Sequence, residues 1–287
     1  MAGRSQIAAS DARRSATVLP IAARRHALVR EVDRQLARCG LTFNAESIEP
    51  TRLVVAVSGG ADSTALLLAC VALSRRKRRR SARMSITAAH VHHHLRDAAD
   101  ADARHVAEVC ERFGVPLQVK HVQPGELKGN LAANARRLRY QALAEVAGNV
   151  GAKHVAVAHH AEDQLETMLM AMCRGAGARG LAAMRPARRI NGVTIVRPLL
   201  GVLKCDCEDL CRCAAVAWRE DASNRDATRR RARLRRDVTP ILEQLWPGAA
   251  RRAAACAKII AKLADTQESG PRRKGNRSAR TLEPDAG

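Results

Sequence analysis

The residues best suited to chemistry are Ser58-Gly59-Gly60-Ala61-Asp62-Ser63. They follow the apolar run Leu53 to Val57 and open the helical pattern Ala61 to Leu73. Glycines let the backbone turn tightly and let a phosphate approach main-chain amides. A helix N-terminus adds unpaired N–H groups and partial positive charge. The Ser58 and Ser63 hydroxyls can donate further hydrogen bonds. Asp62 would repel a phosphate unless a cation bridges the two, which implies Mg²⁺. No Lys follows the glycines and the spacing is not G-x-G-x-x-G, so two common nucleotide loops are excluded. A plain strand-to-helix turn is the alternative, and the strand before and the Asp-Ser after disfavour it.

Three other groups invite chemistry. His92, His93 and His94 are consecutive. Adjacent strand residues point to opposite faces, so the three are not expected to share one metal. Cys205, Cys207, Cys211 and Cys213 lack the C-x₂-C pairing usual for zinc and iron–sulfur sites. On a helix only Cys207 and Cys211 share a face, which favours small buried hydrophobes over a metal site. Finally, Arg229, Arg230, Arg231, Arg233, Arg235 and Arg236 crowd one segment with no acid among residues 228–236. Such a run can neutralise RNA phosphates, and a merely solvated face is its rival.

Positioning these residues needs alternating strands and helices. Strands are predicted at Leu53–Val57, Met84–Val91, Leu117–Val122, Val155–Val157 and Val193–Val196. Helices are predicted at 21–39, Ala61–Leu73, Asp97–Phe113, Asn130–Val146, Glu162–Arg174 and Lys204–Ala217. This order implies right-handed crossovers and an α/β fold. The expected architecture is a doubly wound parallel five-stranded sheet with a short C-terminal helical extension. Residues 1–20 read as a flexible extension and 266–287 as a disordered basic tail.

Composition narrows the function. The chain has 287 residues and a formal charge of +22. That charge favours an acidic polymer as partner. Its aromatics are only Phe43, Phe113, Tyr140, Trp218 and Trp246, too few for RNA binding that works mainly by stacking. No apolar run is long enough to cross a membrane as a helix. The start, MAGRSQIAAS, lacks the apolar core of a secretory signal, so a reducing cytoplasm is the expected location.

With its S-G-G-x-D-S motif, the chain resembles the N-type ATP pyrophosphatases of the PP-loop superfamily, which have an adenine nucleotide alpha hydrolase-like fold. Within it, the chain is similar to the tRNA(Ile)-lysidine synthetases. Val91-His92-His93-His94-Leu95-Arg96 looks like their V-H-H-G-L-R segment, and Ala135-Arg136-Arg137-Leu138-Arg139-Tyr140 like their A-R-x-x-R-Y helix. Ala158-His159-His160-Ala161-Glu162-Asp163-Gln164-Leu165-Glu166-Thr167 and Arg174-Gly175-Ala176-Gly177 match A-H-H-x-D-D-Q-x-E-T…R-G-x-G. Arg197-Pro198-Leu199-Leu200 and Trp218 to Asn224 complete the series. The R-N-x-I-R element appears as Arg231-Ala232-Arg233-Leu234-Arg235, with Ala232 in place of Asn.

The resemblance implies ATP-dependent ligation of L-lysine to C2 of the wobble cytidine of tRNA(Ile) with a CAU anticodon. The reaction would pass through an adenylated intermediate and release AMP and pyrophosphate. It also implies that Asp62 and Asp163 hold Mg²⁺. Ser58, Gly59, Gly60, Ala61, Asp62 and Ser63 would bind the nucleotide. Arg136 is assigned to phosphate or substrate charge, and His159 to positioning or proton transfer. Glu166, on the helix face of Asp163, is expected to orient its neighbours. The implied PP-loop domain covers 21–225 and an Arg-rich helical extension 226–265. A tRNA thiolase of the same superfamily and a non-catalytic RNA-binding relative are the rival readings. A monomer and a homodimer are both compatible with the sequence.

Overall fold

Strand β1 (Thr51–Ala56) sends alternate side chains to opposite faces, and helices cover both. The computed structural model describes residues 16–41, 50–76, 84–95, 99–220 and 230–269. Leu53 and Val55 join a core built with α2 (Ala27–Arg38), α3 (Ala61–Ser74), α4 (Ala99–Arg112) and α8 (Lys204–Cys213). Val54 faces α5 (Leu131–Asn149), with Leu143, Val146 and Ala147 against Val155 and Ile195. Helix α3 is apolar nearly all round, and it is buried from Ser63 to Leu73 because other helices flank it.

The sheet has six strands in the order β3-β2-β1-β4-β6-β5. Here β2 is Met84–His92, β3 Leu117–His121, β4 His154–Ala156, β5 Ala187–Ile190 and β6 Val193–Val196. The doubly wound α/β architecture matches expectation, but the count of five strands is corrected to six. The added strand β5 pairs antiparallel with β6 at the sheet edge. Asn191 and Gly192, at φ of 49° and 81°, make the two-residue hairpin turn. The strand was easy to overlook because Arg188 and Arg189 interrupt its apolar pattern, as suits an edge. The Asn-Gly pair was the signal that pointed to it.

Four other boundaries differ. The helix expected over 21–39 breaks at His26, giving α1 (Ile21–Arg25) and α2. Helix α8 stops at Cys213, short of Ala217, and Ala215 has φ of 52°. Leu19 is buried in the first core, so the N-terminal extension is anchored before residue 20. After α6 (Ala161–Met172) and α7 (Ala178–Leu181), the chain resumes in α9 (Arg230–Arg233), a π-helical turn over Leu234–Val238 and α10 (Thr239–Leu245). Helix α11 (Ala249–Ser269) packs on α6 and α7 and continues through 266–269, where composition predicts a tail. The 225/226 boundary and the rest of both predicted extensions lie outside the described residues.

Strands β1 and β4 are neighbours whose connections leave toward opposite sides of the sheet, so a crevice opens at their carboxyl ends. The Ser58–Ser63 loop follows β1, and His159, His160 and Asp163 follow β4.

Candidate active site

Ser58 to Ser63 forms a loop closed on itself. Ser63 Oγ accepts from Ser58 N at 3.1 Å, donates to Gly60 O at 3.1 Å, and lies 3.1 Å from Ser58 Oγ. Gly59 has φ of +93°. An added Cβ there would meet Val106 at 3.6 Å, an ordinary contact, so the backbone angle rather than crowding favours glycine. Gly60 begins α3 without a side-chain cap, leaving the helix amides open to an anion. Arg219 clasps the loop from behind. Its backbone N donates to Gly59 O at 2.9 Å, and its Nε donates to the buried Asp102 at 2.5 Å. The crevice in front is about 560 Å³, within the usual range for a small-ligand site.

One wall is acidic. Asp62 Oδ1 is buried with no hydrogen-bond partner among the described residues. Burial pushes the Asp62 carboxyl pKa up, opposed by His160. His160 Nε2 stands 3.5 Å from both Asp62 Oδ2 and Asp163 Oδ2, and its Nδ1 is 2.9 Å from Glu162 Oε2. Asp163 caps α6 by accepting from His160 N at 3.1 Å. Its Oδ1 accepts from Arg231 Nη2 and Arg235 Nη2, each at 2.9 Å. Burial would raise the Asp163 carboxyl, but His160, Arg231 and Arg235 hold it below the usual range. Fully buried Glu166 accepts from Arg231 Nε at 2.6 Å and Arg235 Nε at 2.7 Å.

These oxygens test the expected Mg²⁺. Asp62 fits: an orphaned, desolvated carboxylate oxygen is a hard donor awaiting a cation. Asp163 meets the same requirement only once Arg231 and Arg235 yield its Oδ1.

The position between the two carboxylates is held by the His160 ring. Burial alone would lower its pKa, but the Glu162 hydrogen bond and the Asp163 and Asp62 charges outweigh burial and raise it to about 9. An unfolded histidine titrates near ~6.5. The stabilisation is therefore fully present below pH ~6.5 and is lost as pH rises through about 9. In metal-free buffer, the stability difference between the unmodified chain and His160→Gln should shrink by up to about 3 kcal/mol from pH ~6 to above pH ~9. Urea unfolding at both pH values measures it, and a constant difference would count against the bridging imidazolium.

The opposite wall is basic. Arg139 lines the crevice, and its Nε is buried without a hydrogen-bond partner among the described residues. Arg136 and Arg139 flank the Tyr140 ring at 5.1 and 5.3 Å. Arg197 Nε donates to His159 Nδ1 at 3.3 Å. Guanidinium nitrogens only donate, so His159 Nδ1 accepts and the ring proton sits on Nε2. Burial lowers the His159 pKa to about 3, with Arg139 and Arg197 adding to the effect and Asp163 opposing it. His159 is thus neutral at pH 7.

The structure therefore brings Ser58, Gly60, Asp62, Ser63 and His159 to one crevice. Arg136 is exposed beside the Tyr140 ring and does not line the crevice, while Arg139 from the same helix does. Within the arginine run, Arg231 and Arg235 turn inward to Asp163 and Glu166. Arg230, Arg233 and Arg236 are exposed, and Arg229 lies outside the described residues. Sequence reasoning passed over His160, Arg139, Arg197 and Asp102. The first three stood inside the quoted motifs, and their neighbours drew the assignment. Asp102 carried no signal, because an acid in the first turn of a helix is ordinary.

The four cysteines do not gather. Cys207 and Cys211 are buried between α3 and α8, with Cys211 Sγ donating to Ala61 O at 3.6 Å, while Cys205 is exposed. Burial raises the Cys211 thiol pKa to about 12, which suits an inert core thiol.

A family profile described as a PP-loop domain matches residues 30–242. The chain belongs to the PP-loop family. Among curated proteins it is 41% identical over 228 residues to the tRNA(Ile)-lysidine synthase of Geobacter sulfurreducens, covering 76% of this chain and 46% of that protein. It is 40% identical over 212 residues to the tRNA(Ile)-lysidine synthase of Pseudomonas aeruginosa, covering 74% and 46%. The chain spans about half the length of the curated relatives it matches. Among solved structures, the U34-tRNA thiolase NcsA from Methanococcus maripaludis, with its 4Fe–4S cluster, superposes with a TM-score of 0.61. It covers 82% of this chain and 79% of that one at 14% identity, a likeness of fold alone. A PP-loop domain uses ATP, which accounts for the open amides at Gly60. No helix among the described residues is long and apolar enough to cross a membrane.

Proposed function

We propose that this PP-loop protein ligates lysine to C2 of the wobble cytidine of tRNA(Ile) bearing CAU, in the cytoplasm, by way of an adenylated tRNA. The observation that carries the reading is the pairing of an orphaned Asp62 oxygen with an uncapped helix terminus, in a chain this similar to lysidine synthases. Cytidine O2 attacks the α-phosphorus of ATP and pyrophosphate leaves. The lysine ε-amine then attacks C2, AMP leaves, and the amine gives up a proton.

The chain's residues divide this work. Amides from Gly59 to Ser63 and the two serine hydroxyls hold the departing pyrophosphate. Asp62, with Asp163 behind it, would hold Mg²⁺, which supplies charge neutralisation when bound. Arg139 and Arg136 face the negative charge that grows on the α-phosphoryl group. Neutral His159, kept in one tautomer by Arg197, donates its Nε2 proton in a hydrogen bond to a phosphoryl or base oxygen.

Incubation with ATP, Mg²⁺, labelled lysine and this tRNA, followed by digestion to nucleosides, tests the proposal. Lysine-dependent mass gain on cytidine supports it. Sulfur gain would support the thiolase instead, and tRNA binding without turnover the scaffold. The scattered cysteines disfavour the thiolase reading.

Among the described residues, Arg230, Arg233 and Arg236 are the exposed members of the run, and tRNA phosphates would compete with Asp237 for Arg233 and Arg236. Changing the three to Gln should flatten the plot of log affinity against log salt by about 0.7–0.9 for each phosphate they neutralise. Filter binding across a salt series measures it, and an unchanged slope would remove them from the interface.

A further inference from the structure

Away from the acidic wall, three imidazoles converge at the carboxyl edge of β2 and β3. Register pairs His92 directly with His121 on the neighbouring strand. The chain turns sharply at His94, whose φ is 52°, and brings that ring to 4.1 Å from the His92 ring, centroid to centroid. His94 Nε2 and His121 Nδ1 are 2.9 Å apart. One nitrogen from each of the three rings lies within 4.8 Å of the others. The intervening His93 does not belong to this group.

We propose that His92, His94 and His121 form a binding site for a first-row divalent transition metal, Zn²⁺ by preference. A second observation supports a ligand there. The His92 side chain is 3% exposed, yet neither ring nitrogen makes a hydrogen bond among the described residues. Asp100 Oδ1 comes within 3.0 Å of His92 Nε2, but outside hydrogen-bonding geometry. Burying an imidazole whose ring nitrogens make no hydrogen bond, with one carboxylate beside it, is costly, and a metal bond removes that cost. The neighbouring Asp100 carboxylate adds negative charge that favours a cation and can orient His92. Zinc binds imidazole nitrogen at ~2.0–2.1 Å in a tetrahedron, so its ligand nitrogens stand about 3.3–3.4 Å apart. The exposed His94 and His121 rings can reach that spacing by small rotations. Three protein ligands leave a fourth position for water or Asp100. Mg²⁺ is not the match, because it selects oxygen ligands. His92 lines the same crevice as Asp62, but the nitrogen donors of this group differ in kind from the carboxylate oxygens of Asp62 and Asp163.

Untagged protein, stripped with a chelator and titrated with Co²⁺, tests the proposal. One equivalent should bind with the intense visible absorption of tetrahedral cobalt. Zn²⁺ should displace it and excess Mg²⁺ should not. His94→Ala and His121→Ala remove exposed side chains, so they should fold normally by circular dichroism and weaken Co²⁺ binding by about tenfold or more. Cys213→Ser should leave binding unchanged, since Cys213 belongs to a separate His26–Asp209–Cys213 group. Absence of saturable Co²⁺ or Zn²⁺ binding would overturn the proposal. So would undiminished binding in both histidine variants, or loss of the cobalt spectrum in Cys213→Ser.

Discussion

Asp62→Asn should lower ATP-dependent pyrophosphate release on tRNA by about 10³-fold or more while leaving the fold intact. The substitution keeps the shape of the side chain and removes only its charge. The partly buried Asp62 carboxylate has one oxygen with no partner among the described residues and the other 3.5 Å from His160, so the fold gains little from that charge. His160 retains Asp163 and Glu162 as partners. Unfolding stability should therefore change by no more than about 1 kcal/mol, in either direction. A cation-binding role thus predicts a split between activity and stability. Turnover near that of the unmodified chain would remove Asp62 from metal binding. Asp163→Asn offers no such split, because Asp163 also caps α6 and accepts from both inward arginines.

Glu166→Ala should destabilise the protein by about 3 kcal/mol, the lower end of the range for breaking a buried ion pair. The lower end applies because Arg231 and Arg235 are 40% and 38% exposed and can turn to water. Glu166 itself is fully buried and anchors both guanidinium groups. Its loss should also loosen residues 230–245, seen as faster amide exchange there than in β1. Arg231→Ala should cost less, since Glu166 keeps Arg235. A Glu166→Ala change below about 1 kcal/mol in urea unfolding would show that the clasp does not hold the C-terminal helices. If Arg231 and Arg235 served tRNA alone, Glu166→Ala would alter binding and leave stability untouched.

Much of the site is legible in the sequence alone. Ser58 to Ser63 is contiguous, and its chemistry follows from residue types at a strand-to-helix junction. The α/β class was legible for the same reason, since periods of 2 and 3.6 are local properties of the chain. The edge strand β5 escaped because its two arginines break the apolar pattern, although Asn191-Gly192 marked the turn.

The arginine run shows where sequence reading stops. Six arginines look alike in composition, and of the five described only Arg231 and Arg235 turn inward. That choice is made by Glu166, which lies 65 residues before Arg231. The same holds for His160 between two carboxylates, and for His121 beside His92 and His94. Sequence determined the phosphate loop, the parallel core and the placement of acids at strand ends. Tertiary structure decided which charges satisfy one another, because a buried carboxylate selects whatever donors the fold brings within about 3 Å, and sequence spacing does not encode that distance.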